Sequence, residues 1–328
     1  GNVTEDGTLT ANGTLTASDI DTTDNPLNYT VVASQPGTNA YGNFSVNAAG
    51  AWTYNLNNSH ASVQALDAGE TLVDTYTFTV TNQDGATVNQ LVTVTITGAD
   101  DPIIVGGTTT GNVSEDGTLT ANGSLTASDI DTTDNPLAFT VVASQPGANA
   151  HGNFSINSAG SWTYNLNNAS PAVQALDAGE TLTDTYTFTV TNQDGATVNQ
   201  LVTITITGAD DAMTVGGVTT GNVSEDGTLT ANGTLTASDI DSTDNPLNYT
   251  VVTNQSGTNA YGDFSINATG DWDYDLNNSL PVIQALAAGE TLTDSYTFTV
   301  TNQDGATETQ TVTITITGAD DLPVTVAD

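Results

Sequence analysis

The 328-residue sequence contains no lysine and no arginine, so its 38 aspartates and glutamates have no permanently charged side chain to oppose them. His60 and His151 are the only side chains able to carry positive charge. A formal charge of −38 requires each group of carboxylates to be spread apart, solvated or neutralised from outside the chain. Nucleic acid is excluded as a partner, because no lysine or arginine is present to contact phosphate. Anionic membrane surfaces are excluded on the same ground, and cations become the expected ligands. Cysteine is absent as well, which removes disulfides, thiolate zinc sites and thiol catalysis. No run approaches the roughly 18–20 apolar residues of a membrane span, so no direct membrane insertion is expected. No basic-plus-apolar leader opens the sequence. Together these absences lead us to expect an internal piece of a longer secreted protein. With methionine occurring once and lysine and arginine missing, strong helix formers are scarce, while Thr, Val, Asn and Gly favour strands and turns.

Internal repetition organises what is present. The segment beginning at Gly1 returns at Gly111 and Gly221, and Trp52, Trp162 and Trp272 share the same spacing of 110 residues. That period suits one immunoglobulin-sized sandwich per repeat. Within each repeat, Phe44 and Val46 lead through Asn47-Ala48-Ala49-Gly50 into Trp52, Tyr54 and Leu56. This alternation predicts a hairpin with its apolar face inward. A second hairpin is expected from Tyr76, Phe78 and Val80, through Asn82-Gln83-Asp84-Gly85, to Val92, Val94 and Ile96. One helical turn is expected over Ala61 to Leu66. The fold class is therefore all-β, a tandem array of Greek-key sandwiches. Its expected units are 1–101 (lacking a first strand), 102–211 and 212–321, with 322–328 as the start of a next repeat or a donor strand.

The acids are placed in or beside predicted turns: in the first repeat Glu5, Asp6, Asp19, Asp21, Asp24, Asp67, Glu70, Asp74, Asp84, Asp100 and Asp101. None is expected in the hairpin strands. Asp19-Ile20-Asp21 sets two carboxylates on one side of an extended loop, and hard oxygen donors of this kind suit Ca²⁺. Zinc and copper would want imidazole or thiolate. Two carboxylates about 4 Å apart repel by roughly 1 kcal/mol in water and by about 4 at an effective dielectric of 20. Asp19, Asp21, Asp100 and Asp101 are read as calcium ligands, together with their equivalents. Asp84 reads equally well as a ligand and as an ordinary turn former, and Asp6 and Asp74 read as turn or surface residues.

In order along the second repeat stand Val113-Ser-Glu-Asp-Gly117, Leu125-Thr-Ala-Ser-Asp-Ile-Asp131, Gly152-x-Phe-x-Ile156, Trp162-Thr-Tyr164, Gln174-Ala-Leu-Asp-Ala-Gly-Glu180 and Ile206-Thr-Gly-Ala-Asp-Asp211. This series resembles the VCBS repeats of bacterial surface and RTX-type adhesins, and covers the whole chain three times. The order of acidic motifs is more distantly similar to that of cadherin repeats, in which calcium ions sit between successive domains. That resemblance implies a junction built by Glu5, Asp67, Glu70, Asp100 and Asp101 with Asp129, Asp131 and Asp194. It implies a second built by Glu115, Asp177, Glu180, Asp210 and Asp211 with Asp239, Asp241 and Asp304. The sequence departs from the cadherin pattern in its shorter Gly-Ala-Asp-Asp linker and in one extra residue between Asp67 and Glu70. Ala287 stands where the sister repeats have Asp67 and Asp177.

Other signals read as structural. His60 and His151 are not repeated, no Ser-His-Asp set recurs, and the chain is not expected to be an enzyme. The three tryptophans read as core plugs, and Asp271, Asp273 and Asp275 read as an exposed acidic stripe, about 6.5–7 Å between neighbours. Asn-x-Ser/Thr triplets are frequent in a chain this rich in Asn and Thr. The expected function is a calcium-stiffened extender or filament module of a secreted adhesin, surface fibre or biofilm matrix, with repeated glycan or surface binding as the alternative. Expected partners are calcium ions and neighbouring repeats or subunits, head to tail. A segment of a continuous array and a strand-donating homopolymer both fit the phase of the repeat.

Overall fold

The computed structural model describes residues 1–320, so the expectations placed on Asp321 and on 322–328 lie outside the described residues. The first repeat holds β1 (Asn2–Thr4), β2 (Thr10–Thr14), β3 (Asn28–Tyr29), β4 (Val32–Pro36), β5 (Gly42–Val46), β6 (Ala51–Leu56), β7 (Thr71–Thr81) and β8 (Thr87–Thr97). The second holds β9 (Ile104–Gly107), β10 (Thr110–Ser114), β11 (Thr120–Ser128), β12 (Ala138–Phe139), β13 (Val142–Pro146), β14 (Gly152–Ile156), β15 (Ser161–Leu166), β16 (Thr181–Thr191) and β17 (Thr197–Thr207). The third repeats this series as β18 (Thr214–Gly217), β19 (Thr220–Ser224), β20 (Thr230–Ser238), β21 (Asn248–Tyr249), β22 (Val252–Ser256), β23 (Gly262–Ile266), β24 (Asp271–Leu276), β25 (Thr291–Thr301) and β26 (Thr307–Thr317).

Each repeat is a sandwich of two sheets. In the second repeat the orders are β10-β17-β16-β12 and β13-β14-β15-β11-β9, and the third is arranged in the same way. The first has β1-β8-β7-β3 and β2-β6-β5-β4, one strand fewer. The opening strand of one sheet runs parallel to the last strand, with Val113 opposite Ile206, while the long hairpin β16–β17 is antiparallel from Thr181↔Thr207 to Thr191↔Thr197. Successive strands cross between the sheets, which gives the Greek-key connection expected from the sequence.

Alternation explains why these segments become half-buried strands. In β16, Phe188 and Val190 are buried while the intervening threonines face outward, where branched side chains suit the pleat. Phe154, Tyr164, Val202, Ile204 and Ile206 are fully buried between the sheets. Phe154 lies 4.6 Å from Tyr164 and meets Phe188 edge-on at 6.2 Å between ring centroids. Trp162 is buried in this layer, and its indole Nε1 donates to the Thr108 carbonyl at 2.8 Å. The tryptophans are core plugs, as the sequence suggests.

One local expectation needs correction and a second is sharpened. Asp74 and its counterparts Asp184 and Asp294 are neither turn nor surface residues: they lie within β7, β16 and β25 and are fully buried. Asp184 accepts hydrogen bonds from the amides of Asn149 (3.0 Å), His151 (3.1 Å), Gly152 (3.2 Å) and Thr185 (3.0 Å) and from the Tyr164 hydroxyl (3.2 Å). A buried carboxylate with this many donors is stable without a cation. Gly147 is required beside it, since a Cβ there would sit 2.1 Å from Asp184 Oδ1. The second point concerns Ala61 to Leu66, where the expected helical turn is a single one, the Gln64 amide bonding to His60 O at 3.1 Å within consecutive turns. The Val63 amide bonds to His60 O at 2.8 Å and the Leu66 amide to Val63 O at 3.1 Å, seating Val63 and Leu66 in the core.

Candidate metal centres

The carboxylates gather at the ends of the sandwiches, where loops from two repeats meet. Asp67 follows the turns that bury Leu66, and its own loop is closed by its amide donating to Glu70 Oε2 at 3.2 Å. Asp100 and Asp101 leave the end of β8. From the second repeat, the segment after β11 folds back on itself: the Asp131 amide donates to Asp129 Oδ1 at 3.2 Å, and Asn135 Nδ2 donates to the Asp131 carbonyl at 3.0 Å. Asn192, at the hairpin turn, holds Asp134 Oδ2 at 2.7 Å. The two repeats touch directly. Thr133 Oγ1 donates to Asp67 Oδ2 at 3.3 Å, and Thr132 Oγ1 to the Ala65 carbonyl at 3.2 Å. The linker amide of Asp101 donates to Asp131 Oδ2 at 2.7 Å.

The result is a four-carboxylate cluster: Asp67, Asp100, Asp131 and Asp134 offer oxygens that all lie within 4.8 Å of one another. Asp131 and Asp134 are fully buried. Asp131 Oδ1, Asp134 Oδ1, Asp129 Oδ2 and Asp101 Oδ2 are buried without a hydrogen-bond partner. Burial pushes the Asp131 carboxyl up to about 6, opposed by the Asp101 amide and reinforced by the charges of Asp101, Asp129 and Asp67. Burial raises Asp134 too, against the Asn192 hydrogen bond. Glu5 is buried and raised first by desolvation, and Asp101, Asp6 and Asp131 add to it. Asp194, exposed at the hairpin turn, is raised chiefly by the nearby Asp67 charge.

The second junction repeats the design. Its oxygens form overlapping groups, Asp177 with Asp210 and Asp241, Asp177 with Asp244 and Asp304, and Asp239 with Asp241 and Asp244. Asp211 Oδ2, Asp239 Oδ2, Asp241 Oδ1 and Asp244 Oδ1 are buried and unpartnered. Thr243 Oγ1 reaches Asp177 Oδ2 at 3.0 Å. Burial again pushes the Asp241 carboxyl up to about 6.

The donor set is made of oxygen alone, and unpartnered buried carboxylate oxygens are costly unless a cation joins them. These residues fit a hard divalent ion with flexible, oxygen-rich coordination. Asp67, Asp100, Asp131, Asp177, Asp210, Asp239, Asp241 and Asp304 stand in these clusters, with Asp101, Asp129 and Asp211 in the same loops. Glu5 and Glu115 lie behind them, held by Gln64 Nε2 (2.7 Å) and Gln174 Nε2 (2.6 Å). Glu70 and Glu180 direct one oxygen at a loop amide and join no cluster. Asp84 is exposed in its turn and also stands apart. Asp19 and Asp21 cluster with Asp24 at the end of the first repeat away from its junction with the second. There Asp21 is exposed, whereas its counterparts Asp131 and Asp241 are covered by loops of the preceding repeat.

Sequence reasoning missed Asp134 and Asp244 as site residues. The third acid of Asp129-Ile-Asp131-Thr-Thr-Asp134 was a visible signal, but its inward direction depends on the Asn192 contact from a distant hairpin. Asp6 is exposed in a turn, as expected: its carboxylate accepts a hydrogen bond from Asn58 Nδ2, and its charge adds to the raising of Asp101.

A family model described as the bacterial cadherin-like domain matches residues 1–98, 99–208 and 210–318. The chain belongs to the bacterial cadherin-like domain family. Its fold is similar to that of Protocadherin Gamma B2 extracellular cadherin domains 1-5, at 13% identity and a TM-score of 0.50, over 90% of this chain and 53% of that one. This chain thus spans about half of that structure's length. Mouse Cadherin-23 EC22-24 also aligns, at 17% identity and TM-score 0.46 over 98% of this chain and 95% of that one. Drosophila N-cadherin EC1-4 aligns at 15% identity and TM-score 0.39 over 97% of this chain and 72% of that one. No curated protein matches the sequence. The chain is thus a tandem array of three cadherin-like repeats. Among the described residues no helix is long and apolar enough to cross a membrane.

Proposed function

We propose that this chain is a calcium-stiffened extender of a secreted bacterial surface protein, of the VCBS type found in adhesins and fibres. The observation that carries this reading is the set of buried, unpartnered carboxylate oxygens contributed by both sides of each junction. Asp67, Asp100, Asp131 and Asp134 would hold the ion at the first junction, and Asp177, Asp210, Asp241, Asp244 and Asp304 at the second. Bound calcium supplies the positive charge that no lysine or arginine is present to provide. Rotation of one repeat against the next would pull carboxylates of one repeat away from those of its neighbour, so bending costs coordination. Without calcium the same carboxylates repel and the junction loosens.

Calcium titration of the full chain, followed by melting and small-angle scattering, tests the reading. Binding to the folded state alone adds about 2.7 kcal/mol when the free ion stands at a hundred times its dissociation constant. Melting temperature and longest dimension are expected to rise with calcium and to fall again with chelator. If neither responds, the junction sites are wrong.

A further inference from the structure

We propose that the two junctions of this chain are unequal, and that the second, at Asp211-Ala212-Met213, is its principal hinge. When calcium is removed, the second junction opens over more orientations than the first, at Asp101-Pro102-Ile103. The proposal rests on the calcium reading of the junctions and adds which of them the ion controls most.

The polar contacts across the two junctions are matched. The Asp101 amide donates to Asp131 Oδ2 at 2.7 Å, and the Asp211 amide donates to Asp241 Oδ2 at the same 2.7 Å. Thr132 Oγ1 reaches the Ala65 carbonyl at 3.2 Å, and Ser242 Oγ reaches the Ala175 carbonyl at 3.1 Å. Hydrogen bonding therefore does not set the junctions apart. The linker backbone does, because it continues as Pro102-Ile103-Ile104 in one place and as Ala212-Met213-Thr214 in the other. Proline locks its own φ and confines the residue before it to extended backbone. At the first junction that residue is Asp101, whose amide makes the bond to the second repeat. Ala212 places neither restriction on Asp211.

The anchors one residue further on differ in the same direction. Ile103 is 7% exposed in the core of the second repeat, whereas Met213 is only partly buried against the core of the third. Isoleucine is stiff at χ1, while methionine keeps its contacts over several rotamers. Branched Thr132 gives way to Ser242 as well. The first linker thus enters its repeat through a preset backbone and a fixed side chain, and the second has neither. Repulsion between carboxylates acts at both junctions once the ion is gone. What separates them is how many conformations the released linker can reach. Proline in place of alanine, where the native backbone accepts it, favours the ordered form by about two- to five-fold. The Ala212 amide makes no hydrogen bond among the described residues, so proline is compatible with that position too.

The test uses the full chain, which has no cysteine of its own, so spin labels go only where a cysteine is introduced. The exposed turns after β5, β14 and β23 offer matched positions. Ala48→Cys with Ser158→Cys spans the first junction, and Ser158→Cys with Ala268→Cys spans the second. Distances between labels are measured in calcium and in chelator. Both distributions are expected to be narrow in calcium. In chelator the population outside the calcium-bound distance is expected to be at least about two-fold larger at the second junction than at the first. Exchanging the linkers, with Pro102→Ala, Ile103→Met, Ala212→Pro and Met213→Ile in one chain, is expected to reverse that order. The first comparison leaves the linkers untouched, so it decides the proposal even if the exchanged chain fails to fold. Equal broadening at the two junctions overturns the proposal and leaves the calcium reading standing. An order that the exchange does not change, in a folded chain, overturns it in the same way. Distributions that ignore calcium at both junctions overturn the calcium reading, and this proposal with it.

Discussion

Asp184 and Asp131 are the same residue type, both fully buried, and they differ in what surrounds their oxygens. Asp184 receives four amides and a tyrosine hydroxyl, and burial beside its charge raises the Tyr164 hydroxyl well above the usual phenol range. Asp131 has one oxygen bonded to the Asp101 amide and the other unpartnered. Asp184 is therefore satisfied by the protein alone, while Asp131 keeps one oxygen that the protein leaves unpartnered. Asp184→Ala leaves buried donors unpaired and is expected to cost at least about 3 kcal/mol of stability in calcium and chelator alike. Denaturant unfolding measures this, and a loss below about 1 kcal/mol would refute it. The distinction was invisible in sequence, where Asp74, Asp184 and Asp294 sit in alternating Thr-rich strands and look like outward polar positions. Burial came from the Tyr54-type hydroxyl and the glycine of a remote hairpin, which periodicity does not report.

At the scale of elements, the hairpins β5–β6 and β7–β8 were legible, because apolar residues at every second position dictate which face turns inward. Loop chemistry was legible only in part. The Asp-x-Asp motif announced Asp129 and Asp131, while Asp134 needed the Asn192 side chain to aim it. Asp129→Ala with Asp131→Ala is expected to loosen the first junction and to leave the second, built from Asp177, Asp210, Asp239, Asp241, Asp244 and Asp304, intact. Calorimetric calcium titration reads both, and equal loss at the two would count against the assignment. Proton competition follows from the same groups. Asp131 and Asp241 are raised from 3.8 to about 6, so the chelated protein is relatively more stable where they are protonated. That contribution is complete below the ordinary aspartate range and is lost as pH climbs through about 6. Melting in chelator is therefore expected to move upward as pH falls from 7 to 5, while the stabilisation due to calcium shrinks over the same interval. Calcium stabilisation that is constant between pH 7 and 5 would contradict these raised values.

For the whole molecule, a charge of −38 with no lysine or arginine raises a rival explanation for any effect of calcium, namely general screening. The two are separable because screening acts on distance and a site acts on geometry. At 1 M monovalent salt the Debye length is about 3 Å, so repulsion between exposed carboxylates on different repeats is largely removed. Salt cannot, however, join Asp67 and Asp100 to Asp131 and Asp134, whose oxygens need a partner in contact. Sodium chloride at 1 M is thus expected to relieve part of the swelling in chelator without producing the extended, stiff scattering profile that millimolar calcium gives. Magnesium, which holds its waters and prefers fewer carboxylates, should fall between the two. Proteolysis supplies an independent readout. With no lysine or arginine, trypsin has no cleavage site. The glutamates are Glu5, Glu70, Glu115, Glu180, Glu225, Glu290 and Glu308, and all but Glu308 lie in loops outside the strands. A glutamate-specific protease should then cut at the junctions in chelator and in salt, and be held off by calcium. If sodium chloride protects those bonds as well as calcium does, charge density alone accounts for the response and the junctions are not coordination sites.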